Sequence, residues 1–207
     1  MDATIDDVLK SFLAMAAIVG SSIGARAAQP IIDNERVTVW DAKATQQDPK
    51  PVASHQGPFL TVYLVAAEGG KHKKGDVVFA KAGESKFVPG ERAMVVELKD
   101  HTVPPIPNTS GLPLAFPRPH VKKVLENDRI LVWKYAWTPG EPTPMHFHDK
   151  DVVIVYLEDT ALNSTTPDGK TVLNENKQFQ IRFNPRDRAH RELLDHGNGS
   201  AIMMELK

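Results

Sequence analysis

The sequence predicts an all-β chain built from two tandem copies of one unit, and three observations carry that expectation. Sixteen prolines and thirteen glycines are scattered among short apolar runs, so the elements are brief and separated by turns. The runs at 61–65 (TVYLV) and 152–157 (VVIVYL) are β-branched and aromatic, with polar turns on either side. The third observation is that the chain repeats itself.

Asn34-Glu35-Arg36-Val37-Thr38-Val39-Trp40 returns 93 positions on as Asn127-Asp128-Arg129-Ile130-Leu131-Val132-Trp133. The same offset runs without a gap to Val62-Tyr63-Leu64 and Val155-Tyr156-Leu157, and it pairs His55 with His148. Phe87 to Ala93 then resembles Phe183 to Ala189 at an offset of 96. Ala93 to Lys99 resembles Ala201 to Lys207 at 108. On this alignment the second copy has three extra residues mid-repeat and twelve more after Ala189. Pro167-Asp168-Gly169 is a hairpin turn signal, and Gly69-Gly70 lies in the matching stretch of the first copy.

The domain boundaries follow from the repeat. The first copy covers 30–100 and the second 120–207, and a proline-rich segment at 101–119 reads as a stiff linker that wraps a barrel or spans the pair. Residues 1–27 stand apart. Phe12 to Val19 is an apolar run too short to cross a membrane, and Ala25-Arg26-Ala27 follows it as a small-x-small cleavage pattern. That predicts a signal peptide and a periplasmic or secreted protein with no membrane attachment after cleavage. The acidic start MDATIDDVLK keeps a cytoplasmic chain with a short amphipathic lead helix as the alternative.

Composition excludes several classes. A net charge of −1 gives no electrostatic footprint for nucleic acid. With no cysteine there is no disulfide framework, no thiolate metal site and no thiol nucleophile.

The chemistry concentrates in Gly140-Glu141-Pro142-Thr143-Pro144-Met145-His146-Phe147-His148 and in Pro185-Arg186-Asp187-Arg188-Ala189-His190. His146 and His148 are two apart, so on a strand both imidazoles share one face. His190 on a later strand can close a three-imidazole set for a transition metal. Parity also puts Val152, Ile154 and Tyr156 on the face of His148.

These two blocks resemble the conserved motifs of the cupin superfamily, G-x5-H-x-H-x3,4-E-x6-G and G-x5-P-x-G-x2-H-x3-N. The resemblance extends over nearly all of the chain after residue 27, and the first copy keeps a Gly83-x5-Pro89 spacing, so the chain resembles a bicupin. That implies two tandem jelly-roll β-barrels of the double-stranded β-helix type. It also implies metal ligands at His146, His148 and His190 for a divalent transition metal (Fe, Mn, Zn, Ni or Cu). The motif glutamate falls on Val152, its second-block glycine on Asp187 and its asparagine on Leu194. Asp151 is one residue off, and alternation points it to the opposite face. A three-histidine site without a carboxylate is implied.

In the first copy Ala53 stands for His146 and Met94 for His190, with only His55 retained, so that half is expected to be structural or dimerising, and a homodimer is one partner arrangement. His72 and His101 are expected as surface or linker histidines. His196, in the insertion from Arg191 to Ala201, and Tyr156 are the candidate catalytic groups, with Asp195 beside them. Arg182 and Arg188 match Lys86 and Arg92 and are open to either an acidic ligand or surface ion pairs. Tyr135 and Trp137 are aromatic where the first copy has Ala42 and Ala44, which suggests a pocket wall or an interface between barrels. The function expected is a metal-dependent, dioxygenase-like enzyme acting on a small organic acid or diketone. The alternative is a non-enzymatic module that binds or senses a small ligand, with a structural metal or none.

Overall fold

The structure is a computed structural model and describes residues 29–41, 57–66, 70–84 and 91–207. The expected signal peptide and the first-copy positions Ala53, His55, Lys86 and Pro89 lie outside the described residues. Among the described residues there are fourteen strands and no helix.

The first copy contributes β1 (Ile32–Asp33), β2 (Val37–Asp41), β3 (Phe59–Tyr63), β4 (Val77–Ala80) and β5 (Ala93–Leu98) to a five-stranded antiparallel sheet, order β1-β2-β5-β3-β4. The second copy begins with β6 (Val121–Glu126), β7 (Ile130–Ala136), β8 (His146–His148) and β9 (Val152–Tyr156). It continues through β10 (Thr160–Thr165), β11 (Thr171–Asn176), β12 (Ile181–Asn184), β13 (Arg188–Gly197) and β14 (Ser200–Leu206). These form two facing sheets, β12-β9-β14-β7-β6 and β11-β10-β13-β8. The result is the double-sheet barrel of the cupin type.

Alternation along each strand splits the apolar residues into three clusters, one of them Phe59, Tyr63, Ala80, Ala93 and Val95 inside the first copy. Within the second copy, Val152, Ile154 and Tyr156 pack with Trp133, Tyr135, Trp137, Leu162, Leu194 and Met203, the interior that parity predicts. The opposite faces of the two five-stranded sheets meet in one shared core. There Val37, Val39, Leu60, Val62 and Leu98 pack with Ile130, Val132, Val153, Val155 and Leu206. Fully burying one such side chain stabilises by about 1.5–3 kcal/mol.

A pseudo-twofold pattern of backbone contacts pins this interface. Lys99 N donates to Arg36 O, and Lys207 N donates to Arg129 O. Across the pair, Arg36 Nη2 donates to Lys207 O at 3.2 Å and Arg129 Nη2 to Lys99 O at 2.6 Å. Asp151, which parity turned away from the histidines, pairs with Arg36 Nη1 at 2.6 Å.

Strand pairing corrects the middle of the repeat alignment. Ala80 faces Phe59 while Asn184 faces Val152, so β4 and β12 are related by 104 positions rather than 96. The turns agree: Gly75 and Phe179 both have φ > 0, and so do Gly83 and Asp187. Glycine takes that backbone freely, and the other two hold it against side-chain crowding. The local likeness of 87–92 to 183–188 is therefore coincidental, and the conserved spacing of the first copy is Gly75-x5-Lys81 with Gly83. Eleven of the extra residues lie between Tyr156 and Lys177, where the β10–β11 hairpin is built. The 108 offset holds, because β5 and β14 occupy the same place in their sheets. Met94 is thus the counterpart of Ile202, not of His190.

The segment 101–119 lies against the second barrel. Phe147 N donates to Pro113 O, Ala115 N donates to Phe147 O, and Ala115 and Phe116 are part of the barrel interior. It brings Arg118 with it.

Candidate metal centre

His146 and His148 sit on β8, and antiparallel pairing sets His190 of β13 directly opposite His146. All three side chains therefore leave the same face and converge inside the barrel. The Nε2 atoms of His146 and His148 are 3.2 Å apart, and those of His148 and His190 are 3.3 Å apart. His146 and His148 are buried, His190 half-buried, and the three form a group that could hold a metal ion.

The ring nitrogens are prepared unequally. His146 Nδ1 donates to Pro144 O at 2.8 Å, which leaves the Nε2 lone pair facing the cluster. His148 Nδ1 is buried with no protein partner, so whatever binds Nε2 sets its tautomer. Burial pushes His146 down to about 4, with Arg118 and His190 adding to the shift. Burial, then Arg188, holds His148 well below the ordinary imidazole range. His190 is lowered by burial against the opposing pull of Glu192. At neutral pH all three are uncharged, the state a metal ligand needs.

Two charged groups that the motifs do not contain stand beside the triad. Arg118 lies over the Tyr135 ring at 4.2 Å and the Phe116 ring at 5.0 Å, and its Nη1 donates to His146 Nε2 at 3.1 Å. Glu192, two residues past His190 and so on the same face, has Oε1 3.7 Å from His190 Nε2. Its Oε2 accepts from Trp137 Nε1 at 3.0 Å and lies 3.5 Å from Arg118 Nη2. Thr143 N donates to Glu192 O and Glu192 N donates to Thr143 Oγ1, which fixes it against the loop before β8. Burial alone would raise the Glu192 carboxyl, but Arg118, with the hydrogen bond from Trp137, opposes it and the net shift is downward.

The site therefore has a carboxylate after all. Val152, the position the motif reserves for glutamate, is fully buried and packed in the apolar interior. Glu192 approaches instead from β13.

The other expected site residues divide. Tyr156 is buried, stacks on Trp137 with centroids 6.3 Å apart, and lines a cavity that His190 and Glu192 also line. Burial raises its phenol, so it stays protonated at neutral pH. His196 is not at the site. A bulge opposite Ala161/Leu162 interrupts the alternation of β13, and His196 ends 63% exposed, paired with Asp195. The insertion from Arg191 to Ala201 is most of strand β13, its turn and the start of β14. Tyr135 and Trp137 pack inside the second barrel, against Arg118 and Glu192 respectively, not at an interface between barrels. His72 is neither a surface nor a linker group: it stacks on Tyr63 at 3.7 Å and its Nδ1 lies 2.7 Å from Glu91 Oε2.

Arg118 could not be found from the histidine motif, because it arrives from 28 residues upstream in a segment without periodicity. Glu192 carried a usable signal, the i, i+2 spacing from His190 on one strand.

An all-β, double-sheet barrel with three convergent histidines is the architecture that the resemblance to cupin motifs implied. Solved structures to which the chain is similar include a cupin 2 conserved barrel domain protein from Leptotrichia buccalis (TM-score 0.45, 11% identity, covering 87% of this chain and 88% of that one). A cupin domain from Bordetella pertussis is also similar (TM-score 0.39, 24% identity, 44% of this chain and 97% of that one). So is the polyketide cyclase RemF from Streptomyces resistomycificus (TM-score 0.35, 21% identity), where the match spans 42% of this chain and 63% of that one. No protein-family profile and no curated protein matches the sequence.

Proposed function

We propose that the second barrel holds one divalent transition metal through Nε2 of His146, His148 and His190. The bound ion would be presented to a small oxygen-donor molecule, an organic acid or a diketone, in a dioxygenase-like reaction. One observation carries this: three neutral imidazoles aim their Nε2 atoms at one point, 3.2 and 3.3 Å apart along the chain of contacts. Metal–nitrogen bonds of about 2.0–2.1 Å in tetrahedral geometry separate ligand atoms by roughly 3.4 Å, so the set fits.

The metal, Fe, Mn, Zn, Ni or Cu, would supply Lewis acidity to an oxygen donor. The chain's own groups do the rest. Pro144 O orients His146, and Phe116 and Trp137 exclude water. Glu192, held ionised, is placed to accept a proton beside His190. Tyr156 keeps its proton and can donate a hydrogen bond towards the same cavity.

A second reading has one observation of its own. Arg118 Nη1 already donates to His146 Nε2, the lone pair a metal would use. A barrel that binds a small ligand without metal would keep that bond. Elemental analysis of protein purified without added metal, beside the His146→Ala/His190→Ala double variant, separates the two. Stoichiometric metal that the double variant loses supports the metal centre. Equal trace amounts in both would leave the binding module. Export belongs to this proposal too, and an N-terminus beginning after Ala27 in periplasmic or secreted protein checks it.

A further inference from the structure

A cavity of about 210 Å³ opens beside the triad, its lining including Tyr156, Arg182, Asn184, Arg188, His190 and Glu192. It is smaller than the ≈ 300–1,000 Å³ of sites for drug-sized ligands, so its occupant is a small molecule. His190 and Glu192 belong to both the cavity and the metal centre, which makes them one continuous site.

The arginines are the unexplained part. Arg188 Nε donates to Pro185 O, while its Nη2 is buried with no partner. Arg182 Nη2 donates to the carbonyl of Glu175 at 3.1 Å. Among the described residues neither guanidinium has a carboxylate within ion-pair distance. A buried, unpaired donor on a cation is costly, and a planar guanidinium is shaped to hold a carboxylate by two parallel bonds.

The repeat shows that this chemistry is not inherited scaffold. In the corrected register the first copy has Val78 where the second has Arg182, Ala80 where it has Asn184, and Glu84 where it has Arg188. Three apolar or acidic positions have become two cations and an amide, all facing the triad. The acidic end of the cavity lies at Glu192, which Arg118 and Trp137 already satisfy. An anion is therefore drawn to the opposite end.

We infer that this cavity is a carboxylate subsite: a small organic acid places its carboxylate on Arg188, with Arg182 beside it, and extends its other end past His190 towards the triad. This deepens the proposed function and rests on it only for the direction of that other end.

The test uses acetate, succinate and benzoate against their neutral amides, acetamide, succinamide and benzamide. Each is titrated calorimetrically into the full chain as purified and after metal removal. At least one acid should bind about tenfold or more tightly than its amide, since a hydrogen bond to a charged group is worth about 1.5–3 kcal/mol. Arg188→Gln should remove that preference with metal content unchanged. Arg182→Gln should reduce it, and serves alone if Arg188→Gln does not fold. The preference should survive metal removal. Equal binding of acids and amides, or a preference that persists in the glutamine variants, would overturn the subsite. Stoichiometric metal with no acid preference sinks this inference and leaves the metal centre. An acid preference in protein that never holds metal does the reverse.

Discussion

The two five-stranded sheets keep one face apolar throughout and change the other in part, since Trp40/Trp133, Tyr63/Tyr156 and Glu97/Glu205 recur on it. On the shared core the copies match position by position: Leu60 and Val153, Val62 and Val155, Leu64 and Leu157, Leu98 and Leu206. On the inner face Phe59 becomes Val152, Thr61 becomes Ile154, Val78 becomes Arg182 and Ala80 becomes Asn184. The preserved face is the one that must fit another copy of itself, and close packing tolerates little change there. The free face carries the site. Divergence inside a duplicated scaffold therefore locates function better than the motif alone.

Breaking the symmetry of the docking contacts should have the largest effect. Arg36→Ala leaves Asp151 buried without its cation (side chains 7% and 10% exposed), at an expected cost of about 3–5 kcal/mol in urea unfolding. Arg129→Ala should cost far less, because its acidic partner Asp100 is fully exposed. Next comes the shared core: Met204→Ala should cost about 2–4 kcal/mol and shift a single cooperative transition of both copies. Two separate transitions would break the picture of one core joining two sheets.

A smaller effect follows from pH. Burial depresses His146 from 6.5 to about 4, so the unfolded chain binds protons more readily. Metal-free protein should keep this stability above pH 6.5 and lose it as pH falls towards 4, and His146→Ala should flatten that slope in thermal melts. The smallest effect contrasts the two tyrosines. Tyr63 has a buried hydroxyl without a partner, so Tyr63→Phe should be neutral or slightly stabilising. Tyr156→Phe, at the other copy's cavity, should alter binding of a small acid without unfolding the protein.

The triad was legible because two signals coincide, strand parity in His146-Phe147-His148 and the spacing to His190. The all-β class was legible too, from β-branched runs cut by turns. What the sequence concealed has physical causes. Short identities between 87–92 and 183–188 outweighed the strand register, which becomes visible only through pairing and the positive φ of Gly83 and Asp187. Glu192 lay inside what read as an insertion, and the expectation of a site with no carboxylate went with it. Arg118 arrives in a proline-rich stretch that no periodicity assigns to a barrel. His196, a candidate catalytic group on sequence, lies past a bulge that turns it out.

X-ray absorption spectroscopy on metal-loaded protein tests the central claim most directly. Three imidazole nitrogens at about 2.0–2.1 Å, lost together in the His146→Ala/His190→Ala variant, are the expected result. A shell without imidazole, or one unchanged in that variant, would contradict it.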